Sequence, residues 1–420
     1  MNATIRSSPL SSNRAFLRLF GAQAVSLAGS GVTTVALALL VRDMAGSAAA
    51  AVILGQVLSL RILAFLLFSQ PAGLLADRVN RKWLLVGADV LRFLALGTFP
   101  FIHSLWQVYV AVFVVNALTA FFTPAYEASL PEVAGENYTT ALAYSRVAID
   151  MEAILGPVLA GVLVSLMGLH WVFLIDAASY LVSAALVLSV DIPRTANVQV
   201  ESESSWRQLS YGTRLLFREP DLRKALIMSV AESIAGACAI VITVVYVRDV
   251  LARSTFVFSW TMAAVGVGSS VAAVVLSRRT TRQERGRSGA DLHAIRHRWA
   301  RQALLTGGIA TILSLIGGVF NPPLAVFVAF WLLNGAGQAL IAIPSSTLVA
   351  EHTSAEDRGR AFGAHFAWTH VSWLFAYPFV GFLASRFGAG TAFSICGLAC
   401  LLVFLTALAV GNRHSPKFAL

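Results

Sequence analysis

The sequence predicts an all-α polytopic membrane protein with twelve transmembrane helices in two bundles of six. Three observations carry that reading. The 420 residues are 57% hydrophobic and 12% charged, with mean hydropathy +0.74. A water-soluble domain carries about 25% charged residues, so this chain has too little polar surface to be solvated. Apolar runs near the length of about 20 residues that a spanning helix needs recur at 15–41, 51–75, 83–102, 106–125, 139–166, 168–190, 223–247, 256–277, 302–320, 323–348, 360–384 and 388–411. Finally, the chain repeats itself: Phe122–Pro124 before Ala141 is echoed by Ala342–Pro344 before Ala361, half a chain length further on. Parallel halves of this kind mark secondary transporters.

Taken in order, Met1–Asn13 is polar, and the first apolar run is too long for a signal-peptide core, so it is read as a retained span. Spans two and three are joined by Gly73–Lys82, a charged turn between nearly uncharged runs. Spans four and ten are each expected to end at a proline, Pro124 and Pro344. Asp191–Leu222 is the longest polar stretch between spans and contains an amphipathic piece, Trp206–Phe217. It divides the chain into an N-terminal bundle (1–190), a linker (191–222) and a C-terminal bundle (223–420). Cys238, Cys396 and Cys400 are scattered through apolar runs, which suits packing rather than disulfides or a metal site.

The net charge of +10 would suggest nucleic acid in a soluble protein. Here placement explains it. With both ends on one side of a membrane, 24 of the 31 cations fall on that side, 4 on the other and 3 within spans. Cytoplasmic loops collect Lys and Arg, so both termini are expected in the cytoplasm, with no nucleic-acid partner. Basic stretches such as Arg278–Arg301 would lie against anionic lipid head groups.

Gly73-Leu-Leu-Ala-Asp-Arg-Val-Asn-Arg-Lys82 resembles the loop motif of the major facilitator superfamily, G-x-L-a-D-R-x-G-R-[KR], and span count, 6+6 division and central linker fit the same family. Asn80 stands where Gly is usual; Asn tolerates the left-handed conformation, so the turn is expected to survive. Gly156-Pro157-Val-Leu-Ala160-Gly161 is similar to the G-P-x-x-G-G element of the superfamily's proton-coupled antiporters, with Ala160 replacing a glycine. The opening Gly21–Ser30 and the Pro124–Pro131 turn are similar to the branch that includes bacterial macrolide-efflux and enterobactin-exporter proteins. The fourth span, Tyr109–Leu118, lacks the Arg of the R-x-x-x-G pattern found in drug antiporters. The resemblance implies export from the cytoplasm and does not fix the substrate; the leading expectation is a proton-coupled efflux transporter of a hydrophobic or amphipathic small molecule in the bacterial inner membrane. It would be monomeric and driven by the proton gradient without a cofactor. Import or uniport of a polar metabolite on the same fold is the alternative.

Site candidates follow. Gly73, Asp77, Arg78 and Arg81 form the expected cytoplasmic gate: Asp77 would sit in the dipole of an adjacent helix, and Arg78 and Arg81 would bridge to helix ends such as Glu356–Arg358. The matching loop of the second half, Ser277–Gln302, has cations but no such motif, so the halves are expected to differ there. Gly156, Pro157 and Gly161 would give a kinked, closely packed helix. Charges within a bilayer are costly, about 2.5 kcal/mol or more at the centre, and often mark ion paths. Asp150, Glu152 and Glu232 are therefore proton-carrier candidates, Asp150 and Glu232 foremost. Arg61 and Arg92 are cavity candidates. Arg146 with Asp150, and Asp89 with Arg92, are spaced as helical ion pairs, a structural reading that stays open, as it does for Asp176 in span six. His365 and His370 could titrate near neutrality or simply pack. A phosphate-binding G-x-x-x-x-G-K-[ST] loop, a nucleophile elbow and a metal-ligand cluster are all lacking, so neither a metal site nor an enzyme activity is expected.

Overall fold

A computed structural model describes residues 10–192, 205–284, 289–353 and 358–412. Among these residues there is no strand. Helices α1 (Arg14–Arg78), α2 (Arg81–Leu96), α3 (Leu105–Ala134), α4 (Tyr138–Met167) and α5 (Leu169–Leu188) are followed by the amphipathic α6 (Ser205–Arg218). Then come α7 (Pro220–Ala237), the short α8 (Thr243–Val245), α9 (Thr255–Glu284), α10 (Gly289–Ile316), α11 (Leu324–Glu351), α12 (Arg358–Phe387) and α13 (Ala389–Asn412).

Ten of the described helical stretches are long and apolar enough to cross a membrane. One of them, within α1, is two passes in one: Gly46 has φ 72° and ψ 163°, which breaks the helix between the first and second predicted spans. Such a backbone suits Gly and few other residues. The helix α12, less apolar but 30 residues long, covers the eleventh predicted span. Each predicted span thus has its helix. Two expectations are corrected. Neither Pro124 nor Pro344 ends its helix: α3 runs on to Ala134 and α11 to Glu351. A proline frees only one backbone carbonyl, and neighbouring helices and polar groups can satisfy it.

The described helices group into two units. The first comprises residues up to Met44 and 60–201. Its apolar core joins Phe16 and Leu19 of α1, Leu85 of α2, Phe122, Tyr126 and Leu130 of α3, and Val187 of α5. The second comprises residues 45–59 and 202 onward. Here residues 45–59 pack on α12: Ser59 Oγ donates to the Leu374 carbonyl (3.0 Å) and Val52 N to Ser385 Oγ (3.1 Å). The Trp206–Phe217 stretch forms α6, whose Thr213 Oγ1 accepts from Trp368 Nε1 of α12 at 3.1 Å.

Between α7 and Leu251 the chain makes two π turns, Cys238–Ile242 and Tyr246–Val250, on either side of α8. They adjoin an aromatic cluster of Tyr246, Phe327, Trp331 and Phe393, with ring centroids 4.1–5.9 Å apart. The three cysteines are free and buried.

Candidate functional site

The charged loop is shorter than its motif. Only Val79 and Asn80 separate α1 from α2. Asn80 is not left-handed, as the motif suggests. Its backbone is extended (φ −66°, ψ 112°), and its side-chain oxygen accepts from Lys82 N at 3.0 Å. It is the N-cap of α2, a position that requires extended backbone and favours Asn. Arg81 then donates to the carbonyls of Ala76 (3.3 Å) and Ala128 (3.0 Å) and pairs with Glu132 near the end of α3. Arg78 is exposed, and there is open space around Gly73. The side chain of Asp77, and Glu356, lie outside the described residues.

The second unit holds a similar clamp without a similar motif. Arg296 of α10 pairs with Glu284 at the end of α9 (3.1 Å) and with Glu351 at the end of α11 (2.8 Å). The expected difference between the halves is therefore one of loop sequence. In both, an Arg ties the end of a neighbouring helix.

Within the first unit, polar side chains of α1, α4 and α5 meet. Asp176 of α5 is fully buried and accepts hydrogen bonds from Thr33 Oγ1 of α1 and from Ser179 Oγ (3.2 Å). Tyr180 OH lies 3.2 Å from Ser30 Oγ. A Cβ on Gly29 would collide with the Asp176 carboxylate, so this acid reaches α1 only because residue 29 has no side chain. Nearby, Gly31 meets Gly156 of α4 backbone to backbone, and Glu152, one turn before Gly156, lies against Gly31. Arg61 Nη1 is 3.4 Å from Thr34 Oγ1 and within electrostatic reach of Glu152. Arg61 and Glu152 are half-buried. Pro157 lies within α4 and Gly161 is buried. The side chains of Arg146 and Asp150 lie outside the described residues.

Arg92 and Asp89 sit apart from this patch in character. Both are fully buried and paired, and the guanidinium lies 4.3 Å from the Phe122 ring and 4.4 Å from the Tyr180 ring. Arg92 is thus enclosed by protein.

In the second unit, Glu232 of α7 is half-buried and has no hydrogen-bond or ion-pair partner among the described residues. Gly236, one turn on, faces Trp373 of α12 and Gln338 of α11. Gln338 Nε2 donates to Asn334 Oδ1 (2.6 Å), and Asn334 Nδ2 lies 3.3 Å from Ser314 Oγ. An acid, two amides and an indole thus share this part of the unit. His365 has a buried Nε2 without a partner among the described residues, and His370 stacks on Phe366 at 3.7 Å.

Sequence reasoning underweights Asp176 and does not single out Ser30, Thr33, Tyr180 or Gln338 as site residues, while Trp373 is visible in the sequence only as one of many aromatics of spans ten and eleven that could line a pocket or simply pack. The signal is faint but present. Asp176 is the only acid in its span, and Ser30, Thr33 and Thr34 recur at the i, i+3, i+4 spacing of one helix face.

The family model of the Major Facilitator Superfamily matches residues 19–290 and 294–419. The chain is 26% identical to the uncharacterized MFS-type transporter YfiS of Bacillus subtilis, over 80% of this chain and 78% of that one. It is 28% identical to macrolide efflux protein A of Streptococcus pyogenes, over 51% of this chain and 54% of that one. The crystal structure of the nucleoside transporter NupG overlays with a TM-score of 0.73 at 14% identity, covering 95% of this chain and 100% of that one, a likeness of fold alone. With a family model spanning both halves and a superposable transporter fold, this chain belongs to the Major Facilitator Superfamily.

Proposed function

We propose that this transporter exports a hydrophobic or amphipathic small molecule from the bacterial cytoplasm in exchange for protons, by alternating access, with both termini in the cytoplasm. The observation that carries the reading is Glu232. A half-buried carboxylate with no described partner has two ways to be neutralised, by a proton or by a cationic group of a substrate. An exchanger needs one group that can take either. The buried Asp176, held by hydroxyls instead of a paired Arg, offers a second protonatable group in the other half. Glu152 and Asp150 remain candidates beside them. Export is supported by the similarity to macrolide efflux protein A, which spans about half of that protein, and by the Gly156–Gly161 element.

The test is transport in everted membrane vesicles energised by respiration. Macrolides and other amphipathic antibiotics are expected to accumulate and to dissipate the pH gradient as they do so. Accumulation that persists unchanged after the gradient is collapsed would remove proton coupling. Downhill movement of polar metabolites, with no antibiotic transport, would favour the uniport alternative.

A further inference from the structure

Three side chains from three helices converge at the end of the second unit where α7 begins and α11 ends. They are Asp221 in the first turn of α7, His297 of α10 and His352 immediately after α11. Their ligand atoms all lie within 4.8 Å of one another, and all three residues are half-buried. His297 Nε2 is 2.7 Å from Asp221 Oδ2, and the two imidazole rings are 5.7 Å apart. No sequence-local motif joins them, since each comes from a different helix, far from the others along the chain.

We propose that Asp221, His297 and His352 form a binding site for a divalent transition metal of the zinc class. Two imidazoles and one carboxylate are the donor set such ions take, with water completing a tetrahedron. A metal about 2.0–2.1 Å from each donor brings the donors to about 3.3 Å from one another. The 2.7–4.8 Å spread here reaches that by side-chain rotation. One outer-shell contact is in place as well. His352 Nδ1 lies 2.9 Å from the Leu348 carbonyl, so Nδ1 carries the proton and Nε2 presents a lone pair. That is the arrangement by which backbone carbonyls orient metal-bound histidines. At the neighbouring positions Arg296 holds Glu351, which fixes the same parts of α10 and α11.

Two cations set the strength of the site. Lys224 is one turn along α7 and Arg301 one turn along α10, and both act on Asp221 or its neighbours. Positive charge nearby weakens attraction for a dication, so the site suits reversible occupancy in place of a permanent structural ion. A bound metal would staple the start of α7 and the first half of α10 to the end of α11.

The experiment uses the full-length, tag-free transporter in detergent, titrated with Co2+ as a visible reporter and with Zn2+ as competitor. The expected result is a d–d absorption of four-coordinate cobalt that Zn2+ displaces. His352→Gln and His297→Gln abolish it, Asp221→Asn weakens binding at least tenfold, and His103→Gln leaves it unchanged. Should a variant fail to fold, wild-type protein gives the second readout. Zn2+ should protect His297 and His352 together from histidine-modifying reagent, mapped by mass spectrometry. Absence of the cobalt band in wild type, its survival in both histidine variants, or protection at other histidines only would each overturn the proposal.

Discussion

Arg296 does in the second half of the chain what Arg81 does in the first. Each sits in the third helix of its half's repeat and grips a glutamate at the end of the fourth, Glu132 in one case and Glu351 in the other. The offset from Glu132 to Glu351 is nearly the same as that from Pro124 to Pro344. The half-chain repeat therefore extends to an ionic contact although the loop motif does not.

The two clamps differ in exposure, which sets their worth. The Arg81 and Glu132 side chains are 15% and 16% exposed, those of Arg296 and Glu351 36% and 18%. Exposed pairs contribute about 0–1 kcal/mol, since solvent screens them. A double-mutant cycle on thermal unfolding in detergent is expected to give a coupling of about 1–2 kcal/mol for Arg81/Glu132. For Arg296/Glu351 about half as much is expected. Equal couplings would mean that burial does not control these contacts.

Asp89 and Arg92 are expected to behave as a pair whose halves cannot be removed singly. Breaking a buried ion pair from one side costs about 3–5 kcal/mol, whereas replacing both with apolar residues is often nearly neutral. Asp89→Leu or Arg92→Leu should abolish stable expression, and the double variant should restore it with transport retained. Transport lost in a well-folded double variant would give the pair a functional role.

The acids of the candidate site separate by their surroundings. Glu232→Gln removes a charge with no described partner, so the fold should persist while gradient-driven efflux falls at least tenfold. Asp176→Asn keeps one of the two oxygens that accept from Thr33 and Ser179 and presents an NH2 to the other hydroxyl, which can turn to accept, so a stable protein with impaired proton exchange is again expected. Measurement of substrate-induced proton release in vesicles, alongside drug binding, checks both. Variants with wild-type proton release would take the proton role from these two acids.

Gly29→Ala tests packing around Asp176. The added methyl would meet the Asp176 carboxylate and Ser179 Oγ, and overpacking of this kind costs about 1–3 kcal/mol. The expected outcome is a lowered melting temperature, partly recovered by Gly29→Ala combined with Asp176→Ser. No change in melting would show that α1 and α5 can move apart freely.

The fold is legible in the sequence because spanning a bilayer imposes so few choices: apolar length gives the helices, and a proline or a charged turn only punctuates them. The site is less so. Glu232 can be picked out because an acid in an apolar run is conspicuous. Asp176 looks equally ready to be a structural charge, and its significance rests on which hydroxyls and glycines of α1 it meets, a matter of helix rotation that hydropathy does not encode. Asn80 is misleading for a related reason: the family motif suggests a glycine-like turn, while the geometry two residues later, at Lys82, makes it a cap. His297 and His352 lie on different helices from Asp221, so no spacing along the chain could join them.

The π turns beyond α7 set the phase of that helix. Each accommodates about one residue more than an α turn, so every side chain after Ile242 points about one residue's rotation away from where an unbroken helix would aim it. That offset puts Thr243 where Trp331 Nε1 can donate to it at 2.9 Å and Tyr246 where its hydroxyl donates to the Pro322 carbonyl at 2.9 Å. Losing a single residue between Cys238 and Ile242 would leave a regular helix of good composition, yet it would turn its far half to the wrong neighbours.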